Sequence, residues 1–170
     1  MSDGSELVRL ELNDLARALH QTDRPWPAGI GLRTAELPAD LPLIAELYNA
    51  AFEDTGSDRV TPEQMACLAY HPSLSHRGIL LACAGSTAVG LVVGSLDLTS
   101  ANRAGRRGAI ELLVVRPGYR RRGIGRALVH AILRWLADQG VSTVSASAEG
   151  STVPALLARY GFEPVDSNPM

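Results

Sequence analysis

Residues 111–126 read ELLVVRPGYRRRGIGR, and this stretch decides the fold. It continues an apolar run over residues 109–115 that is typical of a buried strand and that only Glu111 interrupts. A Pro-Gly pair at 117–118 predicts a turn, and the residues after it predict an amphipathic helix over 123–139. The stretch therefore predicts a strand, a tight turn and a helix in direct succession.

The start of this helix is predicted to bind a diphosphate. The first N–H groups of a helix are unpaired, and the helix dipole favours an anion beside them. Gly123 and Gly125 let the backbone approach such a ligand closely, and nearby positive charge comes from Arg120, Arg121, Arg122 and Arg126. Two common nucleotide motifs do not fit, because the third Gly of GxGxxG is replaced by Leu128 and GxxxxGK[ST] needs a Lys.

Two segments resemble signatures of one known family. VRPGYRRRGIGRAL, from Val115 to Leu128, resembles the [QR]xxGx[GA] signature of the GNAT superfamily, the Gcn5-related N-acetyltransferases. ALLARYGF, at residues 155–162, resembles the second signature of that family, ALYxxxGF. The likeness covers about residues 30–165. It implies an α/β fold with a GNAT-like mixed, mostly antiparallel central sheet, which is flanked by helices and holds acyl-CoA between a splayed pair of parallel strands.

The resemblance also implies where acetyl-CoA, as cosubstrate, binds. The pyrophosphate is expected at the backbone amides of the signature turn, and the pantetheine arm is expected along the strand that precedes this turn. One freed backbone N–H of that strand, at Leu113 or Val114, is expected to stabilise the oxyanion. The predicted cofactor-binding residues are Leu113, Val114, Val115, Arg120, Arg121, Arg122, Gly123, Ile124, Gly125 and Arg126. No metal is expected, since Cys67 and Cys83 have no partners at metal-ligand spacing.

Glu111 is the predicted general base. It lies nine residues before Arg120, where relatives such as polyamine acetyltransferases carry a Glu at the catalytic site. An amine arrives as an ammonium ion and must lose a proton before it attacks the thioester, and a carboxylate in the cleft is able to take it. The alternative is a Glu that faces solvent or pairs with Arg106 or Arg107.

The general acid departs from the family pattern. Relatives often place a Tyr four residues before the Gly of GF, where this chain has Leu157. Tyr160 is a weak candidate, and its alternative role is packing on the sheet with an exposed hydroxyl. The other options are a donor among Ser145, Ser147 and Ser151, or a thiolate that leaves unassisted. We therefore expect an N-acetyltransferase that works by direct attack in a ternary complex, with an acyl-CoA-binding sensor or partner module without turnover as the alternative.

The chain is predicted to consist of an N-terminal extension and linker, residues 1–29, and an acyltransferase domain, residues 30–170. Residues 6–12 alternate between polar and apolar, which suggests a closing strand for the sheet, in the same chain or swapped into a neighbour. The stretch over residues 8–33 resembles the junction between repeats of a tandem GNAT protein. Val8, Leu12, Leu15 and Leu19 also fit a helical stripe, so a surface helix is the alternative.

Composition limits the classes of partner. Every one of the 16 basic residues is Arg, which suggests a GC-rich bacterial source, and no apolar run reaches the length of a membrane span. With no visible signal peptide, we expect a cytoplasmic protein. The net charge of −2 argues against a general nucleic-acid binder. The expected acceptor is a small-molecule amine or the amine of a peptide or protein, and a homodimer is compatible with the family.

Charge along the chain is polarised. Residues 103–134 carry a balance of +8, and residues 36–63 carry −6. The acids Glu53, Asp54 and Asp58 follow the first helix of the predicted domain, where they either attract a cationic amine or form a solvated loop. Beyond these segments, residues 103–107 are predicted to form a polar loop, and a strand is predicted to begin at Ile79. Thr61-Pro-Glu-Gln predicts a capped helix start with Pro62 at the first helical position.

Overall fold

The computed structural model describes residues 8–21, 25–53, 56, 58–72, 74–97, 106–148 and 152–165. Within these residues the strands are β1 (Val8–Leu12), β2 (Ile30–Thr34), β3 (Leu74–Ala84), β4 (Thr87–Leu96), β5 (Arg106–Val115), β6 (Val141–Ala148) and β7 (Glu163–Pro164). The helices are α1 (Leu15–Gln21), α2 (Leu41–Ala51), α3 (Pro62–Ala69), α4 (Ile124–Asp138) and α5 (Thr152–Ala158). A short 3-10 turn, Pro117–Tyr119, lies between β5 and α4.

All seven strands form one sheet, in the order β2-β3-β4-β5-β6-β1-β7. Strands β5 and β6 are parallel, and every other neighbouring pair is antiparallel. A parallel pair needs a long crossover connection, and α4 supplies it between β5 and β6. The predicted fold class, a mixed and mostly antiparallel sheet flanked by helices, is confirmed.

Helices cover the two faces of the sheet unequally, and each face has its own hydrophobic core. On one side, here called the α4 face, α1, α4 and α5 pack on strands that include β5, β6 and β1, around residues such as Leu128, Ile132 and Val144. On the other side, the α2 face, α2 and α3 pack on β3, β4 and β5, around Leu47 and Leu81. No helix of the described residues is long and apolar enough to cross a membrane.

Helix α4 lies close to the sheet because glycines stand beneath it. A Cβ added to Gly94 would lie 2.8 Å from two atoms of Ile132, and one added to Gly90 would lie 2.9 Å from Leu128. Real Cβ atoms essentially never approach so closely, so a side chain at either position would force the α4 side chains above it to move. The small residues at these positions allow α4 to pack close to the sheet, and α4 begins next to the end of β5.

The N-terminal strand fills the closing position of the sheet. β1 pairs antiparallel with β6, with Leu10 opposite Ala146, and antiparallel with β7, with Leu10 opposite Pro164. Residues 8–12 are therefore a strand of this chain's own sheet, and the helical alternative holds only for the next element, α1, which starts at Leu15. Residues 6 and 7 of the predicted strand lie outside the described residues.

The two helices of the α2 face begin differently. The predicted cap of α3 is confirmed: Thr61 accepts a hydrogen bond from the backbone of Gln64, and the Gln64 side chain accepts one from the backbone of Thr61. In α2 the N-cap residue Asp40 makes no side-chain cap and instead pairs with Arg33 at 2.6 Å. This hydrogen bond with Arg33 lowers the pKa of Asp40.

Two predicted strand boundaries are wrong. β3 begins at Leu74 rather than Ile79, because Leu74 pairs with Ser95 of β4. β5 begins at Arg106, within the predicted polar loop, because Arg106 pairs with Val141 of β6. In both cases pairing with a neighbouring strand extends the strand beyond its apolar residues. Residues 103–105 of that loop lie outside the described residues.

Candidate functional site

The pairing of strands β5 and β6 stops before either strand ends, and the unpaired stretch between them is here called the wedge. Their parallel pairing runs from Arg106 opposite Val141 to Ile110 opposite Ala146. Beyond that point β5 continues to Val115, paired with β4 alone among the described strands. The edge of residues 111–115 that faces β6 therefore offers backbone N–H and C=O groups to another extended molecule. Of the residues predicted to bind the pantetheine arm, Leu113 and Val115 face this edge. Val114 does not, because the Arg116 N–H donates to Val89 and the alternation along the strand directs the backbone groups of Val114 to β4 as well.

The turn between β5 and α4 forms a concave array of backbone amides. Arg121 and Gly123 have left-handed backbone conformations, with φ of 65° and 82°. Gly123 is the N-cap of α4 and makes no side-chain cap, and the first helical bond runs from the Ala127 N–H to the Gly123 carbonyl at 3.1 Å. The N–H groups of Ile124, Gly125 and Arg126 therefore precede the first intrahelical bond. Uncapped amides at a helix N-terminus are suited to binding an anion.

The arginines of this segment divide into two groups. The guanidinium of Arg116 donates to the carbonyl of Ala88 and to Glu46, each at 2.8 Å. The guanidinium of Arg120 donates to the carbonyls of Val115 and Ala51, each at 3.1 Å. These two side chains are thus held by the protein itself.

The remaining three arginines stay available to a ligand. Arg122 lies over the ring of Tyr119, with its guanidinium carbon 5.1 Å from the ring centroid. Arg121 and Arg122 are exposed, and Arg126 is half-buried beside Gly123, 3.3 Å from where a Cβ of that glycine would lie. Of the four arginines predicted to supply positive charge, three therefore remain at the turn and Arg120 turns away toward α2.

Glu111 occupies a β-bulge on the open side of β5. The pairing with β4 passes from Leu112 opposite Val93 to Ile110 opposite Gly94, so Glu111 is the extra residue of the bulge. Its side chain is exposed, and Oε1 accepts a 2.6 Å hydrogen bond from the hydroxyl of Ser95. Ser95 is a buried polar residue of β4, with 5% exposure. A bulge that re-aims one carboxylate is a common feature of active sites.

The alternative ion pairs of Glu111 are not formed. Arg107 pairs with Glu11 of β1 at 3.1 Å, and Arg106 donates to the carbonyl of Gln139 at 3.1 Å. Ser95, by contrast, was not predicted from the sequence. A serine within an apolar strand gives no signal by itself, and the contact depends on the register of β4 and β5.

Tyr160 lies in the core rather than at the surface. It has 3% exposure, and its hydroxyl donates to the backbone carbonyl of Arg126 at 2.8 Å. The predicted alternative of an exposed hydroxyl is therefore wrong, because the first turn of α4 provides an acceptor. Leu157, in the family's Tyr position, is also buried. Ser147 is exposed and Ser145 half-buried, and Ser151 lies outside the described residues.

Two of the sequence predictions concern metal ions and the acidic residues after α2. The described residues contain no group of three or more His, Cys, Asp or Glu that could hold a metal ion. Glu53 and Asp58 are exposed after α2, and Asp54 lies outside the described residues. Asn49 of α2 holds the end of this acidic segment, since its side chain bonds both the N–H and the carbonyl of Val60, at 2.8 and 2.9 Å.

Comparison with known proteins identifies the family. The family model of the acetyltransferase (GNAT) family matches residues 41–162, and the chain therefore belongs to this family. It is 32% identical over 168 residues to a mycothiol acetyltransferase from Tsukamurella paurometabola, with 91% of this chain and 56% of that protein covered. A mycothiol acetyltransferase from Parafrankia sp. is 32% identical over 125 residues, covering 74% of this chain and 36% of that protein. The chain thus spans only a third to rather more than half of these curated relatives.

Solved structures show the same fold. A GCN5-related N-acetyltransferase from Sphaerobacter thermophilus superposes with a TM-score of 0.72 at 23% identity, over 94% of this chain and 48% of that one. A tandem GNAT protein from the clavulanic acid biosynthesis pathway gives 0.69 at 22% identity, over 96% of this chain and 51% of that one. Each of these chains is about twice as long as the part that superposes.

Proposed function

We propose that this chain is an acetyl-CoA-dependent N-acetyltransferase that transfers the acetyl group to a primary amine by direct attack in a ternary complex. The observation that carries the proposal is the uncapped left-handed turn at the start of α4, directly beside the unpaired edge of β5. Membership of the acetyltransferase (GNAT) family supports it.

In this proposal the diphosphate of acetyl-CoA binds at the turn, and the pantetheine arm lies in the wedge. The amides of Ile124, Gly125 and Arg126 bind the diphosphate oxygens, and the side chains of Arg121, Arg122 and Arg126 add positive charge. The β6-facing edge of β5, at Leu113 and Val115, pairs with the pantetheine amides as a neighbouring strand would. A free N–H of this edge stabilises the oxyanion of the attacked thioester carbonyl.

Glu111 is the proposed base. The Ser95 hydroxyl holds Oε1 at 2.6 Å, which orients the carboxylate and leaves Oε2 for the incoming ammonium or for a bridging water. Once the amine has lost a proton to this carboxylate, its lone pair attacks the thioester carbon. A carbon–nitrogen bond forms, the carbon–sulfur bond breaks, and the electron pair leaves with the sulfur. The nitrogen then loses its second proton to solvent or to the thiolate, which gives the neutral amide and CoA.

The departing thiolate is proposed to leave without help from Tyr160. A hydroxyl that already donates to the Arg126 carbonyl must break this bond before it donates to sulfur. A free thiol has a pKa of about 8.5, so a thiolate is a tolerable leaving group at neutral pH, more so beside several arginines.

The proposed acceptor is a small-molecule amine, with the amine of a peptide or protein as the alternative class. Two relatives of this chain are mycothiol acetyltransferases, which supports a small molecule. The exposed acids Glu53 and Asp58, near α2, favour an acceptor that is cationic.

A second candidate function is an acyl-CoA-binding module without turnover. Leu157 is buried in the position where relatives carry the Tyr, and the Tyr160 hydroxyl is occupied, which favours this alternative. The hydrogen bond from the buried Ser95 hydroxyl, which fixes the Glu111 carboxylate on the open side of β5, favours the enzyme.

The cofactor site is tested by calorimetric titration with acetyl-CoA and with CoA. We expect micromolar binding that Arg122→Glu weakens at least about tenfold, since a charge-assisted hydrogen bond is worth about 1.5–3 kcal/mol. Arg134→Glu is the matched control, because Arg134 is also exposed but lies in the third turn of α4. Equal losses in both variants would indicate a general charge effect, and no binding by the parent would reject the site.

Turnover is tested by following thiol release with a panel of primary amines. Glu111→Gln is expected to lower kcat by about 100- to 10,000-fold, the usual contribution of a positioned base, with acetyl-CoA affinity unchanged. If the parent binds acetyl-CoA and releases no thiol with diamines, amino acids, peptides or the acceptor of the mycothiol acetyltransferases, the module without turnover is the better account.

A further inference from the structure

The C-terminal end of α2 is attached to the turn that precedes α4. Ala51 is the last residue of α2, and its carbonyl is one of those that a helix leaves unpaired. Arg120 reaches this carbonyl with one nitrogen at 3.1 Å and the carbonyl of Val115, the last residue of β5, with another at 3.1 Å. One guanidinium therefore joins the end of β5, the start of the amide-lined turn and the end of α2.

Arg116 makes a second attachment on the same side. Its backbone N–H donates to Val89 at 2.8 Å, and its guanidinium donates to the carbonyl of Ala88 and to Glu46 of α2. The Glu46 carboxylate is largely exposed, so this ion pair alone contributes little. The attachment nevertheless fixes the start of the turn to β4.

The attachment continues beyond α2. The side chain of Asn49, close to the end of α2, bonds both backbone groups of Val60. Val60 directly precedes Thr61, the N-cap of α3. Hydrogen bonds therefore run from the turn, through α2, to the start of α3.

We propose that Arg120 is a positioning residue that couples ligand binding at the turn to the C-terminal end of α2 and to Val60. The inference rests on the proposed function, in which a diphosphate binds the amides after Arg120. A ligand that fixes Arg121 and Gly123 in their left-handed conformations also fixes the backbone of Arg120, and with it the guanidinium on Ala51. Glu111 and α2 lie on the same face of the sheet, since Ser95, which bonds Glu111, is two residues from Val93 of the α2-face core. The coupling therefore reduces the motion of α2, on the side where the acceptor is proposed to bind, when the cofactor is bound.

This role differs from that of a phosphate ligand. A guanidinium that donates to two backbone carbonyls has a fixed planar geometry, and using it for phosphate would release both carbonyls. Arg120 is thus expected to couple cofactor binding to α2 rather than to supply most of the binding free energy. That free energy is expected to come from the backbone amides and from Arg121, Arg122 and Arg126.

Hydrogen exchange of the whole chain, with and without saturating CoA, tests the coupling. In the parent we expect CoA to slow exchange at residues 121–127 and, about fivefold or more, at the C-terminal end of α2 and at Val60, in line with typical couplings between sites. In Arg120→Ala, CoA is expected to slow exchange at residues 121–127 and to leave α2 and Val60 unchanged. A purely structural role would alter exchange equally with and without CoA.

Arg33→Gln is the matched control. The substitution removes the partner of Asp40 and so loosens the opposite end of α2. The side-chain hydrogen bonds of Arg33 within the described part of the chain go to Thr34 and Asp40 rather than to the turn. We expect faster exchange at the start of α2 and an undiminished effect of CoA at its end. If Arg120→Ala does not fold, Arg120→Lys keeps the charge without the planar fork and is expected to lose most of the CoA effect on α2.

The outcomes separate this inference from the proposed function. If CoA still slows hydrogen exchange at the end of α2 in folded Arg120→Ala, the coupling is overturned. The coupling is also overturned if Arg120→Ala weakens CoA binding as much as Arg122→Glu does, because Arg120 would then be a phosphate ligand. Absence of any CoA effect at residues 121–127 in the parent would instead reject the cofactor site, and the coupling with it.

Discussion

At the scale of single residues, Tyr160 has the most discriminating test. Its hydroxyl donates to the Arg126 carbonyl at 2.8 Å inside the core. We expect Tyr160→Phe to lower the free energy of unfolding by about 1 kcal/mol, the usual net value of such a bond. Because Tyr160 has no part in the proposed chemical step, kcat should change less than about twofold, which corresponds to about 0.4 kcal/mol in the activation free energy.

Chemical denaturation and steady-state kinetics on the same preparation check this expectation. Trp135 packs against the core and serves as the fluorescent probe of unfolding. A fall in kcat of about 100-fold, with the alkaline limb of the pH–rate profile displaced, would show that Tyr160 is the general acid after all.

Some residues of the candidate site were predictable and others were not. Gly123 and Gly125 were predictable, because the glycines that a left-handed turn and an uncapped helix start favour are visible in the local sequence. The partners of Glu111 and Arg120 were not, since Ser95 is 16 residues from Glu111 and Ala51 is 69 residues from Arg120. Contacts of this kind depend on strand register and helix packing, which local spacing does not encode.

At the scale of elements, the packing of α4 on the sheet makes the clearest demand on the sequence. A Cβ at Gly94 would lie 2.8 Å from both Cδ1 and Cγ1 of Ile132, a fully buried side chain. We expect Gly94→Ala to lower the free energy of unfolding by about 1–3 kcal/mol, because overpacking forces side chains off their rotamers or moves the helix. Urea denaturation measures the loss.

The control for Gly94→Ala is Gly31→Ala. Gly31 lies in the edge strand β2, where an added Cβ meets nothing within 4 Å. This change is expected to be neutral or to stabilise by about 0.4–1 kcal/mol through the unfolded state. Equal destabilisation by both substitutions would mean that glycine is not needed for the approach of α4.

Helices and strands were predictable where a local signal exists. The Thr61-Pro62 start of α3 carries its own cap, and the sequence placed it correctly. The starts of β3 and β5 were misplaced because Leu74 and Arg106 are strand residues only by virtue of pairing with Ser95 and Val141. Tertiary pairing overrode the polar character of both segments.

At the scale of the whole molecule, an N-terminal strand closes a sheet whose neighbouring strands come from the C-terminal part. The two interpretations of the N-terminal residues each hold for a part of them. Alternation governs β1, where Leu10 and Leu12 are buried, and the helical stripe governs α1, where Leu15 and Ala18 are buried in the same cluster. The sequence alone left them open because one run of apolar residues fits both periods before the boundary is known.

We expect the core around β1 to contribute strongly to stability. Leu10→Ala removes a side chain with 2% exposure and should cost about 2–5 kcal/mol, as large-to-small changes in a core do. Leu68→Ala is the matched control, since Leu68 is 46% exposed and its truncation should change stability by less than about 0.5 kcal/mol. Chemical denaturation of both variants gives the comparison.

The same measurement distinguishes a strand that closes its own sheet from one exchanged between copies. In the structure β1 pairs with β6 and β7 of its own chain, so the closed sheet needs no second copy. We therefore expect the denaturation midpoint of the parent not to change over a roughly 100-fold range of protein concentration. An exchanged strand would make unfolding bimolecular, and the midpoint would rise with concentration, because mass action favours the paired copies. If the midpoint rises with protein concentration and Leu10→Ala abolishes this dependence, β1 belongs to the sheet of a neighbouring copy. If the midpoint is constant and Leu10→Ala lowers the free energy of unfolding as expected, β1 lies in the core of its own chain.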